Sequence, residues 1–382
     1  MSWRLLSIGL LTLLLLSATG QAAPIPAPPK IAATSYLLLD INSDRILAEE
    51  NADQRVEPAS LTKIMTAYTV FREIQAGHIA LSEEVLVSKK AWRTPGSRMF
   101  IEVGHKVKIE DLLKGLIIQS GNDAGVALAE HIAGSEAAFA ELMNAHAAEL
   151  GMHDTHFTNS TGLPDPEHYT TARDIARVAK ATIKEFPEYY EWYAIKEFTY
   201  GGITQKNRNI LLWQEGSVDG IKTGHTRSAG YCLVASAKRD EMRLVSVVTG
   251  TQSENARAEA SQRLLRHGFR FYESHKLYDA GQEVKQVRIW KGDRDQLPLG
   301  PLEDTYITVP RGRFDAMTEK MLIGNPVLAP VRKGATVGHV RLSLDGEDIA
   351  RIPLVALVEV KNGGIVDRLI DTALMWFDLW SP

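Results

Sequence analysis

The spacing of apolar positions changes along the chain, and each change marks a different kind of architecture. In "TSYLLLDINSDRILAEEN" two apolar runs flank the turn-forming Asn42, Ser43 and Asp44, which predicts a β-hairpin. From Ser60 to about Phe198 the apolar residues recur at helical spacing, as in "IEDLLKGLIIQSGNDAGVALAEHI" and "EAAFAELMNAHAAELGM". Strand character returns in "VDGIKTGHTRSAGYCLVASAKRDEMRLVSVVTG", whose β-branched runs meet about Lys238, Arg239 and Asp240. A last helix is predicted near Ala256 to Phe271. A sheet assembled from the two ends of a domain, with helices inserted between, is an α/β sandwich. Beyond about Tyr278, short apolar stretches such as "VKQVRIWKGD" and "GHVRLSLDG" are separated by Gly, Pro and Asp, which predicts a small all-β domain of roughly eighty residues, a β-sandwich.

Both ends of the chain break this pattern. Arg4 precedes an almost unbroken apolar run from Leu5 to Leu16 and then the small residues of "SATGQAA". The run is too short to span a bilayer and reads as a secretory signal, cleaved after Ala22; an uncleaved anchor is the alternative. "PIPAPPK" follows as an extended lead-in. At the far end, "GGIVDRLIDTALMWFDLW" puts Ile365, Val366, Leu369, Ile370, Ala373, Trp376, Phe377 and Trp380 on one helical stripe, with Asp367, Arg368, Asp371 and Asp378 mostly elsewhere. Such a helix is too short and too charged to cross a membrane but can lie on its surface. Its aspartates would be repelled by anionic lipids, so burial of the apolar stripe would do the anchoring; packing of the stripe on the β domain, or dimerisation, is the competing reading. The expected organisation is a signal over 1–22, a lead-in over 23–30, a catalytic α/β domain over 31–275, a β domain over 276–361 and the amphipathic helix over 362–382.

Composition narrows the function. The 382 residues suffice for two domains, and a net charge of -4 offers no basic surface for nucleic acid. The single cysteine, Cys232, excludes an internal disulfide and reads as a core residue of "YCLVASA" without a catalytic role.

The chemistry starts at "PASLTKIMTAY". Positions i and i+3 share a helix face, so Ser60 and Lys63 can bring a hydroxyl and an amine within hydrogen-bond range. A serine hydroxyl becomes a nucleophile when a base takes its proton, and a lysine is such a base once burial or neighbouring positive charge has lowered its pKa. By itself S-x-x-K is weak, since a helix-capping Ser and a solvated Lys have the same spacing. Ser120-Gly121-Asn122 interrupts two helical runs and offers a second hydroxyl and an amide; a plain capped turn would look alike, and Ser253-Glu254-Asn255 repeats the pattern. Lys222-Thr223-Gly224, followed by His225, enters a strand-like run: Lys222 supplies charge, Thr223 a hydroxyl for a carboxylate, and Gly224 close approach of backbone to substrate. The three together, in this order and behind a secretory signal, form the set used by β-lactamases and penicillin-binding proteins.

From about Ala32 onward the chain resembles the low-molecular-mass penicillin-binding proteins of the type-five kind, the serine D-alanyl-D-alanine carboxypeptidases. "PASLTKIMTAY", "LIIQSGNDAGVALAEHIAGSE", "FTYGGITQKNRN", "VDGIKTGHT" and "HGFRFYE" carry the resemblance. It implies that Ser60 attacks the bond between the terminal D-alanines of a peptidoglycan stem peptide with Lys63 as base. By the same resemblance Ser120 returns the proton to the leaving D-alanine, Asn122 binds substrate backbone, and the N–H groups of Ser60 and His225 form the oxyanion hole. Lys222, Thr223 and Arg257 of "ENARAEASQ" would hold the terminal carboxylate, a solvated helix arginine being the alternative for Arg257. β-Lactams would acylate Ser60 as inhibitors, and no metal or organic cofactor is implied. The resemblance also places the protein in the periplasm, attached through its last helix to the inner membrane.

"KKAWRTPGSRMFIEVG", at the expected mouth of the site, is several residues shorter than in the best-known members. Three competing readings remain at this level: a β-lactamase, for which no separate deacylating glutamate motif stands out, a DD-endopeptidase, and a non-catalytic wall-binding scaffold. His153 and His156 of "HDTH" lack an accompanying ligand set. Arg173, Asp174 and Arg208 read as structural pairs near the cleft.

Overall fold

The computed structural model describes residues 26–378. The signal assigned to 1–22 lies outside the described residues, as does Trp380.

The predicted hairpin is present as β1 (Ser35–Asp40) and β2 (Arg45–Glu50). A 3-10 turn, Ala59–Leu61, leads into α1 (Thr62–Gln75), followed by α2 (Ile109–Ile118), α3 (Asn122–Ala133), α4 (Glu136–Glu149) and α5 (Ala172–Glu185). Three long strands then complete the sheet: β3 (Val218–Thr226), β4 (Gly230–Arg239) and β5 (Met242–Thr251). Lys238 and Arg239 are paired with Arg243 and Met242 inside the ladder, so the tight turn falls at Asp240 and Glu241, with Asp240 at φ +50°. Ser253 caps α6 (Glu254–Phe271) by accepting from Ala256 N, which starts the helix two residues before Ala256.

The sheet order is β2-β1-β5-β4-β3 and every pairing is antiparallel. Alternation along the strands explains the layers. Leu37 and Leu39 of β1, Val234 of β4 and Val245 and Val247 of β5 enter the large core shared with α1 to α5. Their neighbours Leu38, Leu233, Leu244 and Val248 enter a second core with Leu264, Leu265 and Phe269 of α6. A side-chain period of two thus feeds both faces of the sheet. Because β3 is an edge strand, alternate backbone groups along it face away from the ladder.

The chain continues from α6 into β6 (Tyr272–Tyr278), which pairs with β9 (Thr305–Pro310) beyond β7 (Lys285–Trp290) and β8 (Gln296–Gly300). With β10 (Thr318–Ile323), β11 (Val327–Leu328), β12 (Thr336–Leu344) and β13 (Glu347–Ala356), a six-stranded sheet forms in the order β10-β12-β13-β8-β7-β11. This all-β unit has its own aliphatic core, including Ile289, Leu299, Val309, Leu342 and Leu354. Fully buried Asp40, at the end of β1, joins the two units by accepting from Thr308 Oγ1 at 2.7 Å and from Ser274 Oγ.

The last helix, α7 (Ile365–Asp378), leans on the β unit through Asp371, which accepts from Lys291 N and faces Arg288. Ile365, Val366, Leu369 and Ile370 are more than half exposed, so this part of the apolar stripe is not packed on the β domain. Among the described residues no helix is long and apolar enough to cross a membrane.

Candidate active site

The turn before α1 gives Ser60 its setting. Ser60 caps nothing: the residue preceding α1 is Leu61, without a side-chain cap bond, and Ala59 holds a left-handed φ of +47° just before the serine. That backbone is costly for a residue with a Cβ, and it is the kind of strain that surrounding contacts must hold in place. Gly224 helps explain how. A Cβ there would lie 3.2 to 3.3 Å from Pro58 O, Ala59 Cβ and Leu61 Cγ, so the glycine lets β3 close onto the turn that carries the serine.

Lys63 lies one turn later and is fully buried. Its Nζ donates to Ser60 Oγ at 2.9 Å and to the Thr161 carbonyl at 2.6 Å. Burial, aided by the charge of Arg208 and opposed by Asp123, pushes its pKa down to about 7. The physical requirement for a lysine base is met at the place the spacing predicted.

Ser120 and Asn122 do not cap α3 either; Gly121 occupies the cap position and makes no side-chain bond. Ser120 is at φ +64°, and its buried Oγ and the Oδ1 of Asn122 have no hydrogen-bond partner among the described residues. Other buried polar atoms, such as Ser246 Oγ and Ser261 Oγ, are unpaired as well; Ser120 differs in lining the cleft, where a ligand can supply the missing partner. Asn122 Nδ2 donates to Pro95 O at 2.6 Å. Neighbouring Asp123 accepts from the N–H groups of Met99, Phe100 and Ile101, tying the short mouth loop to the S-x-N segment. Ser253, by contrast, is an ordinary helix cap.

Lys222 and Thr223 lie buried on β3. Burial, then the charges of Lys63, Arg208 and Arg257, push the Lys222 amine well below the usual lysine range. Arg257 is not a solvated helix residue: it is 3% exposed and donates to Gly224 O at 3.1 Å. His225 stacks on Tyr231, with ring centroids 4.0 Å apart. A cleft of about 410 Å³ is lined by Ser60, Ser120, Thr223, His225 and Arg257 among others. The residues singled out from the sequence therefore converge.

One assignment shifts: Arg208, expected as a structural pair, lines the cleft itself. Arg173 and Asp174 do form structural pairs, Arg173 with Asp53 and Glu49, while buried Asp174 accepts from Thr155 and Arg177. Thr161 was not foreseen because it acts through its carbonyl, which any residue type supplies. Cys232 is buried on β4 with its thiol pushed up to about 11, the state of an inert core cysteine.

Residues 22–253 match the family model described as D-alanyl-D-alanine carboxypeptidase. The chain belongs to the D-alanyl-D-alanine carboxypeptidase family. Residues 272–362 match the C-terminal domain of penicillin-binding protein 5. The D-alanyl-D-alanine carboxypeptidase DacA of Escherichia coli K12 is 43% identical over 364 residues, covering 93% of this chain and 90% of the relative. DacF of Bacillus subtilis is 36% identical over 350 residues, 90% of each chain. Among solved structures, penicillin-binding protein 5 of Haemophilus influenzae superposes with a TM-score of 0.85 at 41% identity, covering 88% of this chain and all of the other. Penicillin-binding protein D2 of Listeria monocytogenes, in its ampicillin-bound form, gives a TM-score of 0.59 at 27% identity over 64% of this chain and all of that one.

Proposed function

We propose that this protein is a serine DD-carboxypeptidase that removes the terminal D-alanine from peptidoglycan stem pentapeptides and is acylated by β-lactams. The observation that carries the reading is the 2.9 Å contact between Ser60 Oγ and the buried Lys63 amine, whose pKa is lowered to about 7.

In this mechanism the neutral Lys63 takes the Ser60 proton as Oγ bonds to the penultimate D-alanine carbonyl. The N–H groups of Ser60 and His225 receive the developing oxyanion. The C–N bond then breaks, and the proton returns through Ser120 to the departing amine, leaving an ester on Ser60. Water adds to that ester, Lys63 and Ser120 move its proton, and the shortened peptide leaves with Ser60 restored. Asn122 holds substrate backbone, and β3, as an edge strand of the sheet, offers the substrate a strand to pair with. Lys222, Thr223 and Arg257 receive the terminal carboxylate, with Gly224 keeping strand and nucleophile close.

The residue patterns near the two ends support a finer setting. Residues 1–22 direct export to the periplasm, 31–275 form the catalytic unit and 276–361 the β unit. The amphipathic helix Ile365–Asp378 rests on the outer face of the inner membrane, a reading supported by the exposure of Ile365, Val366, Leu369 and Ile370.

The test is D-alanine release from a stem pentapeptide by the purified protein beside Ser60→Ala. Release by the wild type alone is expected. Absence of both release and penicillin adduct in the wild type would overturn the reading.

A further inference from the structure

Behind the Ser60–Lys63 pair, the segment from Thr158 to His168 crosses the start of α1 as a strap. Its Thr161 carbonyl meets Lys63 Nζ, and Gly162 lies so close that a Cβ would fall 1.8 Å from Ala59 O. His168, 2% exposed, closes the strap. Its Nδ1 accepts from Thr158 N at 3.0 Å, with Thr158 Oγ1 and Asn159 Nδ2 also within 3.4 Å. An Nδ1 facing a backbone N–H carries no proton, so Nε2 carries it and donates to Thr62 Oγ1 at 2.8 Å. Thr62 then has one hydrogen to give, and it goes to Ala59 O at 2.8 Å. The direction of every bond is fixed: His168 to Thr62 to the strained residue before the nucleophile.

We propose that His168 is a positioning residue for the reaction, holding through Thr62 the left-handed turn at Ala59 and, through the strap, the Thr161 carbonyl on Lys63. The proposal rests on the serine-acylation reading above and adds to it a residue that touches neither substrate nor Ser60. The arrangement needs a neutral imidazole, because a proton on Nδ1 would oppose the Thr158 N–H. The groups acting on the ring favour neutrality: burial dominates and lowers its pKa to about 4, Asp165 and Glu136 oppose, and His156 and Lys63 reinforce.

The experiment measures the rate of penicillin acylation against pH for wild type, His168→Leu, His168→Gln and Thr62→Val. Loss of the chain displaces Ser60 and opens Lys63 to water, so His168→Leu and Thr62→Val should each slow acylation by about tenfold or more. Their pH midpoints should also rise toward the ordinary lysine range, which a loss of folded protein alone would not produce. His168→Gln, which can still donate to Thr62, should recover most of the rate. The double variant should be no slower than either single. If His168→Leu does not fold, Thr62→Val carries the same prediction. A wild type that is labelled beside Thr62→Val and His168→Leu with unchanged rate and midpoint would overturn this proposal alone. Additive losses in the double variant would do the same. A wild type that takes up no penicillin would overturn the serine-acylation reading and this proposal with it.

Discussion

The α/β unit and the β unit use their interiors differently. The first buries Lys63, Lys222, Asp123, Asn122 and Arg257 about one cleft and holds Ala59 and Ser120 at positive φ. The second, among the described residues, buries a core of Ile, Leu, Val and Ala with Thr308 as its buried polar side chain, and Thr308 is turned toward Asp40 of the first unit. Buried amines and strained turns lower stability, whereas a closed aliphatic core raises it. Chemistry and support are thus separated along the chain: the cleft gives up stability for reactivity by burying amines, whereas the β unit, which also holds Lys291 and Asp345 at positive φ, buries no lysine or arginine among the described residues.

Removing the cleft's lysine should give the largest effect. Lys63→Met should cut penicillin acylation by at least about a thousandfold, because Ser60 then lacks its base. The same change should leave the protein as stable or more stable at pH 7, by about 1–3 kcal/mol, since an amine whose pKa folding lowers to about 7 no longer has to be desolvated and partly deprotonated on folding. Parallel labelling and urea denaturation would separate the two, and a large loss of stability would break the contrast drawn above.

Leu299→Ala, in the middle of the β-unit core, should behave in the opposite way. It should cost about 2–5 kcal/mol by leaving a cavity, while the folded fraction acylates within about twofold of wild type. A smaller effect belongs to the joint between the units. Thr308→Val leaves Asp40 with one donor fewer and should cost about 1–2 kcal/mol in denaturation, with cleft chemistry unchanged. Loss of acylation in either variant, measured on folded protein, would mean that the β unit shapes the cleft.

Legibility in the sequence followed the same division. Strand and helix periods located both layers of the α/β unit, because the alternation of Leu37, Leu38 and Leu39 feeds two cores directly. Side chains that act by their own functional groups at short spacing, such as Ser60 with Lys63 or Lys222 with Thr223, were legible too. Groups that act across long separations were not. Thr161 contributes a carbonyl to Lys63 from 98 positions away, and His168 reaches Thr62 across 106. Arg208 enters the cleft by folding alone. Neither Ala59 nor Ser120 has a residue type that advertises positive φ, so the strain just before Ser60 and at Ser120 is visible only in the backbone.

The central claim is that Lys63 is neutral enough to serve as the base for Ser60, and the pH dependence of wild-type penicillin acylation tests it most directly. A neutral amine is gained as pH rises, so the rate should climb with a midpoint near 7, where burial places Lys63. A profile flat across that range, or a midpoint near the ordinary lysine value of about 10, would contradict the account.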